Sequence, residues 1–158
     1  MTINGTWEQF SVEAPQMAEP VRAKFEANKH HILATLARDG SPRVHGVEVQ
    51  FVGADLTVGM MFASVKARQL QHDGRFALHA NPGEDMGIGD AKIVGIAVEE
   101  TDPAALDEYI AAVHPPPPFH MFRLGLSEVV LTSMHPDGDR LVICVWRPGG
   151  VVTVLERR

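Results

Sequence analysis

Leu56-Thr-Val-Gly-Met-Met-Phe-Ala-Ser-Val-Lys-Ala-Arg-Gln-Leu70 is the stretch on which the reading of this chain turns. Its first half, Leu56 to Met61, is an apolar run of strand character. Ser64 is a strong helix N-cap type, so a strand gives way there to a short helix running to about His72. Lys66 and Arg68 fall in the first turns of that helix, beside backbone amides that have no intrahelical partner. Cationic side chains, free amides and the positive end of the helix dipole together form a site for a phosphate or another oxyanion. The same residues equally describe a solvated basic patch at a helix start.

Outward from this stretch, the pattern is of short strands joined by turns. His31 to Ala37 reads as a strand, and Asp39-Gly40-Ser41-Pro42 as a turn. Arg43 to Val52 alternates with period two, which predicts one strand of an antiparallel pair. Arg75 to Ala80, Ala91 to Glu99, Phe122 to Ser133, Arg140 to Arg147 and Val151 to Leu155 continue the series. Helices are predicted at the start, with Thr6 capping Trp7 to Phe10, Pro15 opening a second helix and Pro20 breaking or kinking it. Another follows Asp102-Pro103 and runs to Val113, where Pro115 to Pro118 stop it and make a stiff connector. Seven or eight strands with peripheral helices favour an antiparallel barrel over a doubly wound parallel sheet. The expectation is one domain over residues 1–158, with a helical segment at 1–29 and the barrel at 30–158.

Composition narrows the function classes. A chain of 158 residues that is 45% hydrophobic and 22% charged is ordinary for a globular domain. A formal charge of −6 argues against general nucleic-acid affinity. The single cysteine, Cys144, lies in an apolar run and reads as a small core residue, which points to a reducing, cytoplasmic setting. No apolar stretch approaches the ~20 residues that cross a bilayer, and the start lacks a signal-peptide pattern.

Several motifs are weak. Met86-Gly-Ile-Gly-Asp90 lacks the third glycine and the strand-to-helix setting of a dinucleotide loop, and reads as a hairpin or loop. The eight histidines show no metal-binding spacing, so no metal site is expected. No Gly-x-Ser-x-Gly elbow is present. Arg43 starts its strand after a tight turn. If that strand neighbours Leu56 to Met61, Arg43 shares a ligand with Lys66 and Arg68; otherwise it is an exposed strand-end arginine. Trp146 and Arg147 read either as a cover and anchor for a flat ring or as core and surface. Met60 and Met61 read either as gap-filling core or as an apolar wall.

These pieces occur together in one family. On Ile32-Leu-Ala-Thr-Leu36, Asp39-Gly-Ser-Pro-Arg43, Ser64-Val-Lys-Ala-Arg-Gln-Leu70, Gly89-Asp-Ala-Lys92 with Gly95, and Trp146-Arg-Pro-Gly149, the chain resembles the pyridoxamine 5′-phosphate oxidase-like split β-barrel proteins, flavin- and deazaflavin-dependent oxidoreductases among them. The resemblance implies a mainly β (α+β) fold, an antiparallel split barrel of six to eight strands with short peripheral helices. It also implies a homodimer with two cofactors along the interface, the cofactor being FMN or a deazaflavin (coenzyme F-420). Lys66, with Arg68 and Arg43, would hold the phosphate. Val44, His45, Gly46, Val47 and Glu48 would run along the ring, flanked by Met60 and Met61. Ser64 and Gln69 belong to the helix motif; Gln69 stands where the family usually has asparagine. Asp90 or Lys92 would approach the ring from the next strand, and Trp146 and Arg147 would reach it across the dimer. The C-terminal segment lacks the arginine-and-histidine pattern that vitamin-B6 oxidases direct at their substrate.

The resulting expectation is a cytoplasmic homodimer that moves a hydride between the cofactor and a small organic substrate, with no nucleic-acid or membrane partner. A carrier that binds cofactor without turnover, and a haem-binding barrel using His30, His31, His79 or His120, are the alternatives. Arg123, Arg140 and Arg147 are candidates for the longer acidic tail of the deazaflavin.

Overall fold

Three side-chain caps start three of the four helices in the computed structural model, which describes residues 5–84 and 89–158. Thr6 Oγ1 accepts from the Gln9 amide at 3.0 Å and opens α1, Trp7–Glu13. Ser64 Oγ accepts from the Ala67 amide at 3.4 Å and opens α3, Val65–His72. Asp102 Oδ2 accepts from the Ala105 amide at 3.1 Å and opens α4, Pro103–Val113. The fourth, α2, runs unbroken over Pro15–Glu26 despite Pro20 inside it. Met17, Val21 and Phe25 on its buried face hold it to the sheet, and burial of such side chains is worth about 1.5–3 kcal/mol each, enough to offset a lost backbone bond.

The strands are β1 His31–Leu36, β2 Pro42–Val47, β3 Val49–Val52, β4 Asp55–Met61, β5 Arg75–His79, β6 Asp90–Glu99, β7 Phe119–Met134, β8 Leu141–Trp146 and β9 Thr153–Arg157. All pairings are antiparallel, in the order β2-β1-β5-β6-β7-β4-β3, with β8 and β9 attached beside β7. The long β7 makes the split. Its first half pairs with β4 and its second half with β8, while β6 runs along its other edge. The ends of the path, β2 and β3, do not pair, so the sheet is an open, split barrel.

Two further expectations change. The period-two stretch Arg43–Val52 is two strands, not one, because the pairing passes from β1 to β4 at Glu48. Strand alternation continues through that break, which is why the sequence hides it. The last long strand starts at Phe119, directly after the prolines, because β4 pairs with it from Met61↔Phe119 onward. Most of Met86-Gly-Ile-Gly-Asp90 lies outside the described residues.

Alternation along each strand sends Leu33, Val58, Ile93 and Leu124 into the barrel, all 0% exposed. At the β6–β7 register shift a Cβ on Gly95 would stand 1.7 Å from the Gly125 carbonyl oxygen, so only glycine permits the two strands to pair there. Helix α1 closes the β8 side: Phe10 meets the Trp146 ring at 4.9 Å and the Trp7 ring at 5.1 Å. No described helix is long and apolar enough to cross a membrane.

Candidate functional site

The corner between β4 and α3 is tight, and its geometry sets the site. Ala63 takes a left-handed conformation, φ 58°, which costs a non-glycine residue about 1 kcal/mol. His120 of β7 supports it. Its Nε2 accepts from the Ala63 amide at 3.1 Å, its Nδ1 faces Glu99 at 3.3 Å, and its ring stacks on Phe62 at 5.0 Å. The corner therefore leaves Met61 and Phe62 largely exposed, 80% and 60%, at the mouth of a cleft of about 780 Å³. Lys66, in the first turn of α3, lines this cleft and donates to the Gly46 carbonyl at 3.3 Å.

The opposite side of the cleft belongs to β2, β3 and α4. Gly46, Val47 and Glu48 border it where the β2 pairing lapses. Beyond them stand Gln50 and Tyr109, then Val113, His114 and the prolines 115–118. Tyr109 is 1% exposed; burial, with the Glu48 charge adding to it, pushes its phenol up to about 12. Its Oη donates to Gln50 Oε1 at 3.4 Å. Glu48 faces Lys29 at 3.6 Å and His30 at 3.5 Å at the rim.

The structure brings six of the flavin-site candidates to this cleft, Gly46, Val47, Glu48, Met60, Met61 and Lys66, and with them His30, a haem candidate. Met60 points inward and is 4% exposed, so it is core as well as wall. Ser64 caps the helix beside them. His45 and Gln69 meet in a half-buried polar cluster under α3: Thr35 Oγ1 donates to Gln69 Oε1 at 2.6 Å, and His45 Nε2 lies 2.8 Å from Thr35 Oγ1 and 3.1 Å from Gln69 Oε1. That cluster pins α3 to β1 and β2.

The remaining candidates stand apart from the cleft. The condition set for Arg43 fails, because β2 pairs with β1 and not with β4. Arg43 is exposed opposite Thr35 in the register. Arg68 is exposed too; at 100° per residue the helix puts it on the flank away from Lys66. Val44 projects outward, 70% exposed. Asp90 and Lys92 start β6, three strands away from β2. Trp146 is 0% exposed beneath α1, and Arg147 pairs with Glu128 at 2.5 Å. The sequence missed Tyr109, Gln50 and the proline wall. A helix recognised only by its Asp102-Pro103 start gives no sign of what it faces until β7 is paired with β4.

Among the described residues one group, His135, Asp137 and Asp139, has the spacing to converge on a metal ion. Arg140 fills that place, bonding Asp139 at 2.6 Å and His135 Nε2 at 2.8 Å.

No protein-family model matches the sequence, and no curated protein matches it either. Solved structures do resemble it. A pyridoxamine 5′-phosphate oxidase-related, FMN-binding protein from Nostoc punctiforme aligns with a TM-score of 0.64 at 12% identity, covering 92% of this chain and 96% of that one. PhzG from Burkholderia lata, in complex with tetrahydrophenazine-1-carboxylic acid, aligns at 0.61 and 18% identity, covering 94% and 91%. A heme binding protein from Mycobacterium smegmatis aligns at 0.55 and 19%, covering 87% of this chain and 56% of that one. At such identities the likeness is one of fold: the chain has the split-barrel architecture of the pyridoxamine 5′-phosphate oxidase-like FMN-binding proteins.

Proposed function

We propose that the protein is a flavin-binding split barrel of the pyridoxamine 5′-phosphate oxidase-like family and that it acts as an oxidoreductase on a small organic substrate. The observation that carries this reading is the placement of Lys66 at the start of α3, inside an otherwise largely apolar cleft. The donor set fits a flavin phosphate: the Lys66 ammonium at the start of α3 and the adjoining backbone of Gly46 to Glu48. Met61 and Phe62 supply apolar surface beside that anchor for a planar ring. A bound flavin supplies hydride chemistry itself; these residues bind it, orient it and keep water away. That division of labour accounts for a cleft without a nucleophile paired to a base.

FMN is favoured over the deazaflavin. The longer acidic tail calls for further cations at the cleft, and the three candidates are engaged elsewhere. Arg123 faces Glu100 at 2.7 Å, Arg140 bonds Asp139 and Glu156, and Arg147 pairs with Glu128. Two of the four histidines named for haem are held by the protein, while His30 stands at the cleft rim beside Glu48. His31 Nε2 donates to the Phe25 carbonyl while its Nδ1 accepts from Asn81, and both nitrogens of His120 are engaged as well. A cofactor carrier without turnover remains the second reading.

A homodimer is part of the proposal. Ile32, Val44, Val94 and Ile96 project from the outer face of β2-β1-β5-β6 and are 39–70% exposed. In register they form neighbouring rows with Ala34 and Ala77, a continuous apolar face of the kind that marks an interface. Lys92 and Gly46 lie in one cross-sheet row of this face, so a partner seated there would bring Lys92 near a second cleft. The lone, half-buried Cys144, its thiol pushed up by burial, suits a reducing cytoplasm. The test is titration of FMN and of coenzyme F-420 into purified protein and Lys66→Ala, followed by reduction and a panel of electron acceptors under anaerobic conditions. Binding without oxidation above the free-cofactor rate would select the carrier.

A further inference from the structure

The two ends of the cleft differ in chemistry. Lys66 and Glu48 are its fixed charges, and both lie on the β2–α3 side. The far end is walled by Val113, the exposed His114 and the prolines 115–118, with Tyr109 and Phe119 rings 5.8 Å apart behind them. An anion entering there would lose its hydration against largely apolar surface, with no lysine or arginine to replace it. The wall is also stiff. A Cβ on Gly59 would stand 2.3 Å from Tyr109 Oη, so the phenol is seated directly on β4, and proline rings do not rearrange to meet a ligand.

Besides His114, one polar pair breaks this surface. Tyr109 stays protonated across the physiological range and donates to Gln50 Oε1. That bond fixes the Gln50 amide, and among the described residues its Nε2 donates to nothing in the protein. It is left to donate to whatever lies in the slot.

We propose that the far end of the cleft is a substrate slot for a flat, uncharged ring compound bearing a hydrogen-bond acceptor, read by the Tyr109–Gln50 pair, and that it rejects phosphorylated substrates. This rests on the flavin reading, with the cofactor phosphate at Lys66 and the substrate ring against the proline wall.

The test is equilibrium dialysis of 1-naphthol and 1-naphthyl phosphate, one ring without and with a phosphate. It is run against FMN-saturated protein and against Lys66→Ala, in which no lysine or arginine lines the cleft. The expected result is 1-naphthol bound at least tenfold more tightly in both. Gln50→Leu weakens 1-naphthol by about three- to tenfold, the worth of one hydrogen bond. Val113→Arg raises the affinity for 1-naphthyl phosphate at least tenfold, with an unchanged melting temperature confirming the fold of both variants. Equal binding of the two probes, or a folded Val113→Arg that gains nothing for the phosphate, overturns the slot. Absence of FMN binding with the 1-naphthol preference intact in Lys66→Ala counts against the cofactor and supports the slot. FMN binding with no preference between the probes overturns the slot alone.

Discussion

Lys66 Nζ lies 3.3 Å from the Gly46 carbonyl oxygen, which joins the first turn of α3 to the strand end where β2 stops pairing. A single long bond to a neutral carbonyl leaves the ammonium two unused N–H donors. Lys66 makes no ion pair with a described residue, in a chain whose formal charge is −6. Its removal should therefore act on the ligand and not on the fold. Lys66→Ala is expected to weaken FMN binding by about 1.5–3 kcal/mol, the worth of a charge-assisted bond, with the melting temperature within a degree or two of the parent. Fluorescence titration and a thermal melt check both halves. Unchanged FMN affinity would take Lys66 out of the site.

Thr35, His45 and Gln69 should show the opposite balance. Thr35 is 1% exposed and its hydroxyl is shared between the other two side chains. Thr35→Val leaves His45 and Gln69 without their central partner and is expected to cost about 1–3 kcal/mol of stability. FMN affinity should fall only modestly, through loosening of α3. Denaturant unfolding measures the first effect, and a midpoint equal to the parent's would contradict the role given to the cluster.

His31 makes the fold acid-sensitive. Burial holds its imidazole below the ordinary value, with hydrogen bonds to the Phe25 carbonyl opposing that shift. The unfolded chain therefore binds this proton more readily than the folded one, and stability falls as pH drops below about 6.5. His31→Gln should flatten that part of the pH–stability curve, at some cost at neutral pH. An unaltered slope between pH 7 and 5 would assign the acid sensitivity to other groups.

Asp55 works in the other direction. Desolvation raises its carboxyl, Arg123 lowers it, and the charges of Glu100 and Glu108 add to the rise. Its Oδ1 is buried without a hydrogen-bond partner. The folded state thus keeps this proton to higher pH than the unfolded chain does, so the Asp55 term erodes stability as pH rises from about 4 through the raised value. Asp55→Asn is expected to raise the melting temperature at pH 7 by about 2–4 °C, the equivalent of roughly 1 kcal/mol, with little gain near pH 4. A fall at pH 7 would show that the Asp55–Arg123 attraction outweighs the desolvation.

The outer sheet face gives the oligomer its own test. Val44 is 70% exposed and lies beside Ala34 and Ile32. Val44→Glu should convert a dimer to a monomer in light scattering without unfolding it. A wild-type protein that is monomeric at micromolar concentration would remove the shared cleft from the account.

What could be read in the sequence follows the range of the forces involved. Thr6, Ser64 and Asp102 announce their helices because a cap acts over three residues. The strands were legible from alternation, and so was the barrel, because short turns join most of them. Partnership was not legible. The sequence leaves Arg43 either beside Lys66 or at an exposed strand end; its strand bonds to β1, since pairing is decided between segments far apart in sequence. Trp146 fits a ring cover or a core equally well by composition; only the arrival of Phe10 from α1 settles it as core. Half of the cleft was invisible for the same reason. Tyr109 faces Gln50 across fifty-nine positions of chain, and nothing local to either residue signals the other.

The central claim is that the α3 corner anchors a flavin phosphate through Lys66. The most direct measurement is the titration of FMN into the purified protein and into Lys66→Ala, read by flavin fluorescence, with the spectrum of the complex taken after gel filtration. The account predicts stoichiometric FMN that travels with the wild-type protein and an affinity at least tenfold weaker in the variant. FMN that fails to bind the wild type, or that binds both proteins equally, would contradict it.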